Sequence, residues 1–281
     1  YKYAAFPGQM INIINSSNVT ISHLELDGNC DRASVGGYWA SDLAGINLGY
    51  TGIWLNQNNV VNLNDLNVHH FGYDALIIAD QRTGLNIDPI DIRISRSKFN
   101  WNCRDGVSWI SGNGVSFFDC EFNFNGYGMW DGTSFRSGID LEYEGGQDVQ
   151  NGVFNNCKFK YNKTAGVISD PGHIAILNKR NFQFMDCEFV SGPQYCVYPG
   201  APKMEFTSCN FYGPITGAYD GHTGTSAGDG KNLKFYQCTF NEVYEDFDST
   251  VHHPYAHTLA TGTCSSVDIH PFMLELSDAG R

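Results

Sequence analysis

The chain has 281 residues, 42% of them apolar, so it is long enough for a substantial core in one large domain or two small ones. Its 17 basic and 30 acidic residues give a net charge of −13, which argues against a nucleic-acid partner or an anionic membrane surface, both of which need dense Lys and Arg. No apolar run is long enough to span a bilayer and no leader peptide is visible; the opening at Tyr1, just ahead of a strand-like Met10–Ile14, reads as a fragment or a mature form.

Taken in chain order, one four-residue frame keeps returning. It reads HLEL at His23–Leu26, DLNV at Asp65–Val68, RSKF at Arg96–Phe99, DCEF at Asp119–Phe122, NCKF at Asn156–Phe159, DCEF at Asp186–Phe189, SCNF at Ser208–Phe211 and QCTF at Gln237–Phe240. The second and fourth positions are mostly apolar and the first and third mostly polar, which is strand alternation. The second positions (24, 66, 97, 120, 157, 187, 209, 238) lie between 22 and 42 residues apart. One strand per interval of that size, always with the same inward pair, predicts a solenoid built from a constant coil and loops of varying length.

The unit beginning at Gly114 shows the plan. Val115–Phe118 and Cys120–Phe122 read as a strand, Asn123–Gly126 as a turn, and Gly138–Glu144 as a second strand after an insertion. Second strands in other coils are expected at Asp74–Ile78, Asp105–Ile110, Ala165–Ser169 and Tyr195–Tyr198. Asn29, Asn102, Asn125 and Asn162 each stand five residues after the cysteine position, which predicts an asparagine stack at the turn, since Asn tolerates left-handed backbone and its amide can bond the next coil. No sustained 3.6-residue period occurs. The fold expected is all-β: a single-stranded, right-handed parallel β-helix of about eight or more coils with loop insertions. It covers residues 1–248, and 249–281, where the repeat fades, form a cap or the start of a further region.

Five of the nine cysteines share one repeat position, so they are expected to stack inside the helix at ~4.8 Å spacing. Side chains stacked that way point in one direction and suit packing rather than bridging, as reduced thiols. Reduced thiols suit assembly in a reducing compartment. Cys30, Cys103, Cys196 and Cys264 lie outside the stack, and a Cys187–Cys196 disulfide is an open alternative with no spacing to support it.

The coil pattern, the Asn turns and the phrase INIINSSNVTISHLELDGN (Ile11–Asn29) resemble the parallel β-helix proteins that act on polysaccharides, the pectate-lyase-like enzymes and the tailspike depolymerases of bacteriophages, over roughly Met10 to Asp248. The resemblance implies a polysaccharide substrate, a homotrimer, and either a virion tail assembled in bacterial cytoplasm or a secreted bacterial enzyme as the setting. It does not choose the reaction, because this fold hosts several.

The densest acidic patch is GIDLEYEGG, Gly138–Gly146. Ile139 and Leu141 are expected inward, and Asp140, Glu142 and Glu144 outward at ~6.6–7 Å steps along the strand. Aligning Val167 with Ile139 puts Asp170 beside Glu142, and Asp105 joins from the preceding coil. Paired carboxylates are the apparatus of glycoside hydrolysis, one protonated as acid and one ionised as nucleophile or base. Glu142 is read as one catalytic carboxylate and Asp140 or Asp170 as the other, while Asp105, Glu144, Trp130, Tyr127, Arg136, His173 and Trp109 are read as substrate contacts. Tyr127, Trp130 and Arg136 sit in the insertion Tyr127–Arg136, whose aromatic rings suit sugar faces. Ser169–His173 (SDPGH) loosely resembles the acidic, histidine-containing motif of alginate epimerases, although Gly172 departs from it.

No cofactor is expected; calcium at the acidic cluster is the alternative to catalysis there. The histidines, His69–His70 among them, show no metal-ligand spacing joined to Cys or Glu, and no metal site is expected. The leading expectation is an endo-acting glycoside hydrolase. A polysaccharide lyase and a non-catalytic glycan-binding β-helix stand as alternatives, the lyase disfavoured by few basic residues on the acidic face.

Overall fold

The computed structural model describes residues 8–32, 49–80, 90–127, 136–142, 149–169, 181–199, 204–213, 215–216, 233–241, 256–257, 262–263 and 266–269. Apart from the short 3-10 turn Cys30–Arg32, every element among them is a β-strand. The strands stack into a three-faced parallel β-helix. The first face is a nine-stranded sheet in which Gly8–Ile14, Tyr50–Asn56, Leu76–Ala79, Val107–Trp109, Ser137–Leu141, Ala165–Ser169, Tyr195–Pro199 and Ile215–Thr216 follow one another in parallel. The other two faces form a 16-stranded sheet, joined through the long strands Val19–Asp27 and Val60–His69.

The repeating frame sets the register. Leu26 pairs with Val68, Val68 with Phe99, Phe122 with Phe159, Phe159 with Phe189, Phe189 with Phe211 and Phe211 with Phe240. All of these are buried. The phenylalanine rings stack nearly parallel, with centroids 4.8–5.6 Å apart. A second ladder, Phe117–Phe154–Phe184–Phe206–Phe235, runs beside it at 4.5–4.9 Å. The two ladders meet edge to face, as in Phe184 against Phe189. Each such contact adds about 0.5–1.5 kcal/mol to the burial of the rings themselves.

The frame is a corner and not a single strand. Gly112–Phe118 and Glu121–Asn123 are separate strands, and Asp119 between them has φ 55°. The same left-handed conformation occurs at His23, Asp65, Arg96, Asn156, Asp186, Ser208 and Gln237, the first position of every frame. One left-handed residue turns the chain from the second face to the third. The cysteine behind it then adds a second bond to the carbonyl two residues back, which already accepts a backbone N–H of the preceding coil, as Asn155 O does from Asp119 N at 3.0 Å. Cys157 Sγ donates to Asn155 O at 3.4 Å and Cys187, Cys209 and Cys238 repeat the contact at 3.3–3.4 Å, each also reaching a carbonyl of the preceding coil. Ser97 does the same work with its hydroxyl, donating to Ser95 O at 2.8 Å.

A second left-handed position follows at His70, Trp101, Phe124 and Tyr161. The rings of Trp101, Phe124 and Tyr161 stack on the outside at 4.3 and 5.3 Å. Next to them the expected asparagine ladder is present for three of its four members. Asn102 Nδ2 donates to Asn125 Oδ1 at 3.0 Å and Asn125 Nδ2 to Asn162 Oδ1 at 3.1 Å, and the same oxygens accept the backbone N–H of Asn102 and Asn125. Asn29 is not a rung. Phe71 occupies the position between, and its N–H ends the ladder on Asn102 Oδ1 at 3.1 Å.

The eight described cysteines are free and buried. Cys187 and Cys196 are not bridged: Cys196 Sγ lies on Tyr212 O at 3.3 Å and Phe189 O at 3.7 Å. Burial pushes the Cys196 thiol up to about 12 and raises Cys157 and Cys209 as well. At the far end three strands reverse direction. Ala256–His257, Gly262–Thr263 and Ser266–Ile269 pair antiparallel with Ile215–Thr216, Thr239–Phe240 and Leu233–Tyr236, occupying backbone groups of the last coil.

Asn125→Ala removes both the acceptor of Asn102 and the donor to Phe99 O, leaving buried backbone groups without their bonds. Urea unfolding should show a loss of about 2–4 kcal/mol; a change under 1 kcal/mol contradicts this reading of the ladder. A second expectation concerns the thiols. An aromatic disulfide reagent should modify the corner cysteines of the native protein no faster than the protein unfolds, and all of them at once in denaturant.

Candidate active site

Chemistry-bearing side chains gather on the side of the first face opposite the main core. In-register pairing lines up Trp54, Ile77, Ser108, Asp140, Ile168 and Tyr198 across successive coils, and all but Trp54 are buried. Alternation puts them opposite the core positions: Ile139 and Leu141 are in the main core, whereas Ile168 belongs with Ala165, Tyr195 and Tyr198 to a separate small cluster. The band is therefore polar in its middle, at Ser108 and Asp140, and aromatic on one flank, at Tyr195 and Tyr198, whose ring centroids are 6.1 Å apart.

The register inferred for the acidic strand is observed: Ile139 pairs with Val167 and Asp140 with Ile168. Asp140 is nearly buried, at 4% exposure, and Glu142 is half-buried where the strand ends, its N–H donating to Trp109 O at 3.0 Å. Asp170, Glu144, Trp130 and His173 lie outside the described residues. Tyr127 is exposed, in keeping with a contact residue at the start of its insertion.

Three expected contacts are placed differently. Trp109 is a core residue: Val107 and Trp109 both point inward, its Nε1 donates to Ser111 O at 3.0 Å, and its ring meets Phe182 edge-on. Arg136 is buried against Gly126, where a Cβ would sit 2.4 Å from the arginine Cβ; only glycine allows that approach. Asp105 does not face solvent. It is fully buried, and its Oδ1 accepts from Ser137 N at 2.5 Å and Ser137 Oγ at 2.8 Å, because Asp105, two residues ahead of Val107–Trp109, stands in register with Ser137 at the start of the next strand.

Beneath the band is a network that the sequence reading passed over. Arg104 donates from Nε to Asp74 Oδ1 at 2.7 Å and from Nη2 to Asp74 Oδ2 at 2.6 Å and Ser108 Oγ at 2.8 Å. Its Nε lies 3.2 Å from Asp105 Oδ2, and its guanidinium carbon lies 3.8 Å from the centre of the Tyr73 ring. Burial raises the Tyr73 phenol, and the negative charges of Asp74, Asp105 and Glu142 add to the shift, so Glu142 acts electrostatically on this network. The available signal was the dipeptide pair Tyr73-Asp74 and Arg104-Asp105, which stand at equivalent places before consecutive strands.

Asp74 and Asp105 share one guanidinium. Burial, with Asp74 adding to it, pushes the Asp105 carboxyl up to about 8, against the pull of Arg104 and Ser137. Asp105, Asp140 and Glu142 do not bring three carboxylate oxygens within 4.8 Å of one another, and the other members of the acidic cluster, Glu144 and Asp170, lie outside the described residues. The raised value has a consequence for stability. Folded Asp105 keeps a proton that the unfolded chain releases above its ordinary value of 3.8, so its contribution falls as pH rises from about 4 to about 8 and is flat above that. Thermal melts across this window should show that slope, and Asp105→Asn, which imitates the protonated form, should flatten it; an unchanged slope in the variant contradicts the assignment.

Comparison with known proteins agrees with this architecture. A family model described as a right-handed beta helix region matches residues 51–246. No curated protein matches the sequence. Among solved structures, the fold is similar to the tailspike protein gp49 of the Acinetobacter baumannii bacteriophage Fri1, a capsular polysaccharide depolymerase, with a TM-score of 0.54 and 14% identity over 84% of this chain. The chain spans 40% of that tailspike's length. Pectate lyase Pel9A aligns with a TM-score of 0.39 and 12% identity over 88% of this chain and 72% of its own. With that family match covering well over half of its length, the chain belongs to the right-handed β-helix family.

Proposed function

We propose that this chain is the β-helix portion of a polysaccharide depolymerase, an endo-acting glycoside hydrolase of the tailspike kind acting on a bacterial surface polysaccharide. The observation that carries the reading is the outer band of the first face, where Asp140 and Glu142 alternate with core residues Ile139 and Leu141 and an aromatic flank lies two coils away. Carboxylates beside aromatic rings are what cleavage of a sugar chain uses: rings hold the pyranose faces and carboxylates handle the proton and the anomeric carbon.

In this reading one carboxylic acid protonates the glycosidic oxygen as the C–O bond breaks. The other carboxylate either attacks the anomeric carbon or takes the proton of the water that does. Glu142, at the more accessible end of the strand, is assigned the acid; Asp140 or Asp170 is the partner. Arg104, tied to Asp74, Asp105 and Ser108, acts as a positioning residue that fixes the floor of the band. Homotrimeric assembly on a virion tail is part of the same proposal, carried by the likeness to a tailspike.

One observation favours a lyase as the second reading. Lyase chemistry needs a base and a cation beside a uronate, and Tyr73 with Arg104 under its ring supplies both residue types on this face. The net charge of −13 works against a polyuronate.

Substitution separates the readings. Glu142→Gln should lower kcat on a cleaved polysaccharide by about 10²–10⁴-fold with little change in KM, and Asp140→Asn should do the same. Tyr198→Ala should act mainly on KM. If both carboxylate variants keep full activity while Tyr73→Phe abolishes it, the hydrolase assignment is wrong and the lyase reading replaces it.

A further inference from the structure

Away from the band, at the amino-terminal end of the helix, the structure brings together a group that no spacing in the sequence announces. The paired strands Val19–Asp27 and Val60–His69 put Asp27 beside His69 and Glu25 beside Asn67. His70 follows in the left-handed conformation, φ 54°, and this turns its ring back against that of His69. The result is a convergence of one carboxylate and two imidazoles. His69 Nδ1 lies 2.6 Å from His70 Nδ1 and 3.6 Å from Asp27 Oδ1, and a ligand atom from each of the three residues lies within 4.8 Å of the others.

The surroundings build the site. His69 Nε2 is 3.1 Å from Glu25 Oε1, which also accepts from Asn67 Nδ2 at 3.2 Å. A carboxylate at that nitrogen calls for the proton on Nε2, which leaves the Nδ1 lone pair directed at His70 and Asp27. A carboxylate holding the remote nitrogen of a histidine is the support that metal-binding imidazoles use. The backbone is fixed as well. Gly28 N donates to His69 O and Cys30 N to His70 O, both at 2.9 Å, and a Cβ on Gly28 would fall 2.4 Å from His70 O.

We propose that Asp27, His69 and His70 bind one divalent ion of the zinc class, with Glu25 positioning His69. Two imidazole nitrogens and a carboxylate oxygen suit zinc, nickel or cobalt rather than calcium, and three protein ligands leave a position for water. At about 2.0–2.1 Å from the ion, the two ring nitrogens would stand about 3.3 Å apart, a small opening from their present separation. The ion ties the first long strand to the second. Among the described residues Val19–Asp27 has no other strand beyond it, so the ion fastens an end coil.

Titration calorimetry with zinc chloride, on full chain first stripped with chelator, tests the site. One equivalent should bind and raise the melting temperature. His70→Ala and Asp27→Asn should each weaken binding at least about tenfold, and the exposed Glu25→Gln by about 10–100-fold. Cobalt in place of zinc should give visible bands without an intense thiolate charge-transfer band. Cys30 and Cys103, whose sulfurs are 3.2 Å apart, are competing donors. Zinc that binds His70→Ala as tightly as the parent, is lost in Cys30→Ser, or fails to bind the parent at all overturns the proposal.

Discussion

Everything in this molecule depends on one constraint: each coil must present its inward side chains directly above those of the coil before. A parallel rung has no freedom to slide, because a shift of one residue would exchange core for surface. The phenylalanine ladders meet the constraint by stacking like on like, so any coil with phenylalanine at the right place extends the core. The corners meet it with one left-handed residue each, and cysteine, serine and asparagine side chains bond the carbonyls around them. Register is thereby fixed in the core and at the corner of each frame, and the outer face inherits the same precision.

That inheritance links fold to site. Ser108, Asp140 and Ile168 form a row because Val107, Ile139 and Val167 form one on the other side of the same strands. Ile77, Ile168 and Tyr198 in that row are themselves buried, so the row is packed on its own side and its polar members Ser108 and Asp140 are set among apolar neighbours. Arg104 is the extreme case. A buried guanidinium between two buried carboxylates is costly unless each is bonded, and here Asp74, Asp105, Ser108, Ser137 and Tyr73 all take part.

The repeat frame was legible because it is periodic: eight frames predicted the ladder from Leu26 to Phe240, and the Ile139–Val167 alignment followed by counting. The corner was legible too, and the alternation hid it. Phe117 and Cys120 both face the core although three residues apart, a parity no continuous strand permits. Trp109 was recoverable from the same rule, since Val107 fixes it as inward. Asn29 failed as a rung because the coil after it carries Phe71 at that place. The Arg104 network left one trace, the equivalent placement of Tyr73-Asp74 and Arg104-Asp105, whereas the Asp27–His69–His70 group joins residues about 40 positions apart through side-chain orientations that no spacing encodes.

The central claim is that the outer band cleaves a sugar chain by adding water. Mass spectrometry and ultraviolet absorption of the products from a panel of bacterial capsule and O-antigen polysaccharides test it most directly. The account predicts oligosaccharides of whole repeat units, each carrying one added water and a new reducing end, with no ultraviolet-absorbing unsaturated sugar. Products that lack the added water and absorb in the ultraviolet would contradict it, as would binding of a polysaccharide that the protein leaves intact.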